Sequence, residues 1–156
     1  MTQEVEITRT YNFPAVPAGW DWLSDGAFVV LFDDAYDRFG KVAIEADDAT
    51  SFCESTTTRW HPSMLAAAAD LATEATEWQA VIDAEAAQAP VIDGQPVYVA
   101  IPLALRRKGW SWKFGKFLCE LLNNGDVFGG VIYRDMTRQQ AVEDMADLVS
   151  DAEVQP

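Results

Sequence analysis

Residues 62–90 read PSMLAAAADLATEATEWQAVIDAEAAQAP, and this stretch decides the fold class. Met64, Ala68, Leu71, Ala75, Trp78 and Ile82 recur at helical spacing, so one face of a helix is apolar. The alanines favour helix because Ala loses no side-chain freedom there. Pro62 fits a first helical turn, and Pro90 cannot continue a helix. The reading is a helix over about 63–87.

The flanking residues follow a different period. Residues 4–10, with Val5 and Ile7 among polar neighbours, read as a first strand. Residues 13–19 hold Pro14, Pro17 and Gly19 and read as a loop anchored on the core by Trp20, Trp22 and Leu23. Residues 27–32 make a strong strand, 41–45 its hairpin partner, and 46–59 a long connection or a further short strand. Beyond the helix, Asp93-Gly94 marks a hairpin, and 97–101 a strand. A second helix is expected over about 112–122, stopped by Asn123-Asn124-Gly125. Residues 127–133 follow as a strand. Thr137 with Gln140 then forms a capping box for a last helix to about 152, with Val142, Met145, Leu148, Val149 and Ala152 as its apolar stripe. The class is α+β: a single acidic domain over 1–156, a mixed or antiparallel sheet of about five strands with about three helices, and a loose tail at 153–156.

Hydrophobic residues make up 49% of the chain, enough for a core. Six Trp are many for this length, and some are expected at an interface, where Trp is enriched. No run reaches the roughly 20 apolar residues that span a bilayer, and the opening MTQEVEITRT has no signal-peptide pattern. The expectation is a soluble, cytoplasmic protein with no membrane contact. Cys53 and Cys119 form no CxxC pair and read as two reduced, partly buried thiols, with a disulfide left open. His61 is the one histidine, so a Cys/His zinc site is not completed and no metal or cofactor is expected. His61 itself reads as a helix cap or a surface residue. Asp33-Asp34-Ala35-Tyr36-Asp37 spells DDxxD, but between two strands it reads as a polar hairpin loop. No nucleophilic triad is placed by any motif.

The formal net charge is −14, and its distribution is uneven. No Lys or Arg lies between Arg59 and Arg106, whereas residues 106–117 carry five basic side chains and no acid. On the first helix Asp70, Glu74 and Glu77 fall at i, i+4 and i+7, and Asp83 and Glu85 extend the charge. At about 1.5 Å rise per residue such carboxylates step about 4.5–6 Å, close to the phosphate spacing of one DNA strand. The last helix repeats the pattern with Asp144, Asp147 and Asp151, and Glu143 beside them. Like charges at this spacing cost an isolated helix about 0.2–0.5 kcal/mol per pair. One reading is a solvated face. The other is a surface that occupies a basic groove, as a nucleic-acid mimic does. Direct nucleic-acid binding is disfavoured over most of so acidic a surface.

The segment 106–117 interleaves Arg106, Arg107, Lys108, Lys113 and Lys116 with Trp110, Trp112, Phe114 and Phe117. Three readings stay open: stacking on bases or holding an anion, a protein hot spot, or pairing with the chain's own acidic helices or those of a second copy in a homodimer. The strand at 97–101, the loop Arg106-Arg107-Lys108-Gly109-Trp110-Ser111 and a helix ending at Asn123-Asn124-Gly125 resemble the Arg/Gln-x-x-Gly-x-Gly/Ala loop of the GNAT acetyltransferases. That resemblance implies a small acyltransferase whose loop amides and helix N-terminus hold the coenzyme A pyrophosphate. Trp110 and Trp112 are bulky where the family's loop packs tightly, and the preceding elements do not follow the family's order.

The leading expectation is a non-enzymatic acidic binding protein that inhibits a basic, nucleic-acid-handling partner such as a nuclease or a CRISPR effector. Anti-CRISPR, antirestriction and toxin-immunity proteins, from phages among other sources, share this short, acidic, motif-free profile. The alternative is a structural or assembly component, for example of a virion, whose acidity serves its solvent. The acyltransferase stands third.

Overall fold

Ser63 starts the long helix. Its Oγ accepts a hydrogen bond from the Ala66 N–H at 3.1 Å, which satisfies one of the amides a helix start leaves open. Pro62 therefore stands just before the cap instead of in the first turn. The computed structural model describes residues 2–44 and 50–155. The end of the expected hairpin partner at 41–45 and the start of the connection after it lie outside the described residues.

A hairpin of β1 (Gln3–Glu6) and β2 (Thr10–Phe13) opens the chain. Then β3 (Asp21–Asp25), β4 (Phe28–Phe32), β5 (Arg38–Ala43), β6 (Ser51–Glu54) and β7 (Thr58–His61) make a five-stranded antiparallel sheet in chain order. The long helix α1 (Met64–Ala86) follows, then the short hairpin β8 (Val91–Ile92) and β9 (Gln95–Pro96), and the single turn α2 (Leu103–Arg106). A three-stranded antiparallel sheet of β10 (Trp110–Phe114), β11 (Leu118–Asn123) and β12 (Asp126–Ile132) precedes α3 (Arg138–Glu153). The fold is α+β, with mainly antiparallel sheet and three helices. The chain divides into two compact units, residues 1–81 and 82–156, and the division falls inside α1.

In the first unit, Trp22, Phe13, Phe39, Leu31, Val29 and Val42 are fully buried with Met64, Ala67, Ala68, Leu71 and Ala75 of α1. Leu71 packs so closely on β5 that a Cβ added to Gly40 would stand 2.8 Å from its Cδ1. The expected first strand over 4–10 is broken: the Ile7 N–H donates to the Arg9 carbonyl at 3.0 Å, closing a turn, and Thr10 begins β2. The DDxxD stretch is the expected hairpin loop, in which Asp33 accepts the amides of Ala35 and Asp37, both at 2.9 Å.

In the second unit, Val97, Ile101, Leu105, Trp110, Trp112, Cys119, Leu121 and Val131 pack with Ala141, Met145 and Val149 of α3. Residues 97–101 are not a strand; they form no ladder, while Val97 and Ile101 are buried. The helix expected over 112–122 is replaced by the β10–β11 hairpin. Trp110, Trp112, Cys119 and Leu121 alternate with more exposed neighbours and fill one sheet face. Asn124 and Gly125, expected as a helix stop, turn β11 into β12 with φ of 50° and 87°, the left-handed pair a two-residue hairpin turn requires. The capping box is present: the Thr137 side chain takes the Gln140 amide, and the Gln140 side chain takes the Thr137 amide. Glu153, expected in a loose tail, instead ends α3, and the Gln155 N–H bonds back to the Ala152 carbonyl.

Candidate functional site

The acids of α1 meet bases that the helix itself does not carry. In the β6–β7 hairpin, Cys53 lies directly opposite Arg59, and His61 lies two residues on, so all three side chains share one sheet face. Asp70 and Glu74 are one helical turn apart on α1 and face this trio. Arg59 Nε donates to Asp70 Oδ2 at 2.7 Å, and Nη2 donates to Glu74 Oε2 at 2.9 Å. His61 Nε2 lies 2.8 Å from Asp70 Oδ2, and the Cys53 thiol 3.5 Å from the same oxygen. Ser55 Oγ closes the network onto both Glu74 oxygens at 2.8 and 2.9 Å. Burial alone would raise the Asp70 carboxyl, but the hydrogen bonds from Arg59 and His61 outweigh it and hold its pKa below the ordinary value. Burial first, then the neighbouring carboxylates, push the Cys53 thiol up to about 11.

Two expectations change here. Asp70 and Glu74 are not free members of an acidic stripe, because Arg59 pairs with both. His61 is neither helix cap nor idle surface residue, because it ends β7 against Asp70. Glu77 remains exposed with no ion pair among the described residues, and Asp83 is exposed as well.

Glu85, at the other end of α1, is compensated more deeply. Arg106 Nη1 donates to Glu85 Oε2 at 2.9 Å, and the two side chains are only 2% and 10% exposed. The Tyr98 hydroxyl and the Trp112 amide add hydrogen bonds to the same carboxylate, at 2.8 and 3.1 Å. Burial opposes the Arg106 charge, yet the bonds to Glu85 keep its pKa raised. The third reading of segment 106–117, internal pairing with an aromatic core, therefore describes Arg106, Trp110 and Trp112. Trp110 and Trp112 are 4% and 6% exposed. Arg107 is half-buried, whereas Lys108, Lys113 and Lys116 are exposed, with the Lys116 ammonium over the Phe117 ring. The segment from Arg106 to Ser111 leads from α2 directly into β10, so the helix that the acetyltransferase resemblance places after this loop is a strand here.

The acids of α3 have no such partners. Glu143, Asp144, Asp147 and Asp151 are exposed, and among the described residues no ion pair reaches them. Glu143 accepts the Gln139 side-chain amide at 3.0 Å. Asp144, Asp147 and Asp151 line one wall of an open groove of about 420 Å³ whose apolar lining includes Val131, Ile132, Met136 and Leu148. Beside the groove α3 packs closely on β12: a Cβ on Gly129 would stand 2.7 Å from Leu148 Cδ2.

The Arg59 network escaped sequence reasoning although each part was visible. The i, i+4 spacing of Asp70 and Glu74 is plain in the sequence; the register that sets Cys53 opposite Arg59 is not. Tyr98 at Glu85 carried no sequence signal. No helix among the described residues is long and apolar enough to cross a membrane. Compared with protein-family models, with curated proteins and with solved structures, the chain finds no match.

Proposed function

We propose that this is a non-enzymatic, cytoplasmic binding protein that docks the acidic wall of α3 on the basic surface of a nucleic-acid-handling partner and blocks it. The observation that carries the reading is the row Asp144, Asp147 and Asp151, exposed and without an ion pair among the described residues. Like charges on one helix face oppose helix stability, and Asp147 and Asp151 lie toward the C-terminal end, where the helix dipole disfavours acids. A feature that costs stability is explained by an external cation. Electrostatic steering would speed the encounter, and the apolar lining at Ile132, Met136 and Leu148 would supply contact area. Cleavage by a panel of purified nucleases, restriction enzymes and CRISPR effectors tests it. At least one should be inhibited, with affinity falling steeply as salt rises; no inhibition across the panel at low salt would end this reading.

A second reading, assembly of copies, is favoured by β12. It is an outer strand of its sheet and exposes Val127 at 59% and Ile132 at 65%. Exposed apolar edge strands pair readily. Size-exclusion chromatography showing a dimer that Ile132→Lys dissolves would support it.

A further inference from the structure

We propose that Cys53, His61 and Asp70 form a zinc site with one coordination position left for water. The Sγ, imidazole and carboxylate donor atoms come from β6, β7 and α1 and lie within 4.8 Å of one another. A soft thiolate, an imidazole and a carboxylate together suit zinc better than a hard cation such as magnesium or calcium. With bonds of about 2.3 Å to sulfur and about 2.0 Å to oxygen, a tetrahedral ion sets those two donors about 3.5 Å apart. The Cys53 Sγ to Asp70 Oδ2 distance is 3.5 Å. His61 Nε2 and Asp70 Oδ2, now 2.8 Å apart, need to open by about 0.5 Å to admit the ion.

The surrounding charge accommodates a dication. The carboxylates of Asp70 and Glu74 outnumber the Arg59 guanidinium they share by one negative charge. When the ion binds, the Cys53 thiol gives its proton to solvent and the thiolate joins the metal. Zn²⁺ and Arg59 then balance the thiolate and the two carboxylates. Arg59 Nε bonds the same Asp70 Oδ2 at 2.7 Å, so as the ion takes that oxygen the guanidinium has to pass to Asp70 Oδ1, where it would orient the ligand as outer partners do in metal sites elsewhere. One histidine suffices because Asp70 supplies the third donor. The ion would fasten the β6–β7 hairpin to α1, a role independent of docking through α3.

The test uses the full chain with Zn²⁺ or Co²⁺ alone. Equilibrium dialysis should find one tightly held Zn²⁺ per chain, and Co²⁺ should give the charge-transfer absorption of a cobalt–thiolate bond. Cys53→Ser should abolish that absorption, Cys119→Ser should keep it, and His61→Asn should weaken Zn²⁺ binding at least tenfold. Zn²⁺ should raise the melting temperature of the parent and not of His61→Asn. If Cys53→Ser does not fold, the parent spectrum and the His61→Asn affinity still decide. A parent without cobalt–thiolate absorption, or with absorption that survives Cys53→Ser, would overturn the proposal.

Discussion

Two helices of this protein carry nearly the same acidic spelling and meet opposite fates. Asp70 and Glu74 on α1 stand against Arg59, and Glu85 against Arg106. Asp144, Asp147 and Asp151 on α3 stand against solvent. The difference lies in what each helix packs on. The amino half of α1 lies beside a hairpin that presents Arg59 and His61, and its last turn takes up a buried arginine. The neighbour of α3 is β12, whose sequence DVFGGVI holds no base. A row of carboxylates on a helix thus has a meaning only once its neighbour is known. In a chain with 11 basic residues, two arginines meet Asp70, Glu74 and Glu85 of α1.

Breaking the deep pair should have the largest effect. Arg106→Ala leaves Glu85 nearly buried without its cation, and losing one partner of a buried pair costs about 3–5 kcal/mol. Urea unfolding should show the loss as a lower midpoint. Arg59→Gln should cost less, about 1 kcal/mol, because its pairs are partly exposed and screened. On α3 the sign should reverse. Asp147→Lys removes like-charge neighbours and favours the helix dipole, so it should leave stability unchanged or raise it by about 0.2–0.5 kcal/mol. A thermal melt in low salt measures that gain, and added salt should shrink it.

Much of the fold was legible, and the failures have a common cause. The α1 and α3 helices, the Thr137 capping box and the Asp93-Gly94 turn rest on local rules, and local rules located them. The stretch 112–122 failed because WSWKF and LCELL fit a half-buried strand as well as an amphipathic helix. The Asn124-Gly125 dipeptide stops a helix or turns a hairpin equally well, and the alternation of Trp110, Trp112 and Phe114 was the better guide. The exposure of the α3 acids was legible, because it follows from the helical face itself. The network at Asp70 depends on the register of β6 against β7, a long-range fact that composition and spacing do not encode. At Arg106 internal pairing was one of the three readings left open, and the arginine lies against Glu85.

The most direct measurement compares two single charge reversals, Asp147→Lys on α3 and Glu77→Lys on α1, in binding to whichever panel enzyme the protein inhibits. Both positions are exposed, and both changes alter net charge equally. Docking through α3 predicts that Asp147→Lys weakens binding at least tenfold in low salt while Glu77→Lys changes it less than twofold. Equal losses for the two variants, or the larger loss at Glu77, would contradict it.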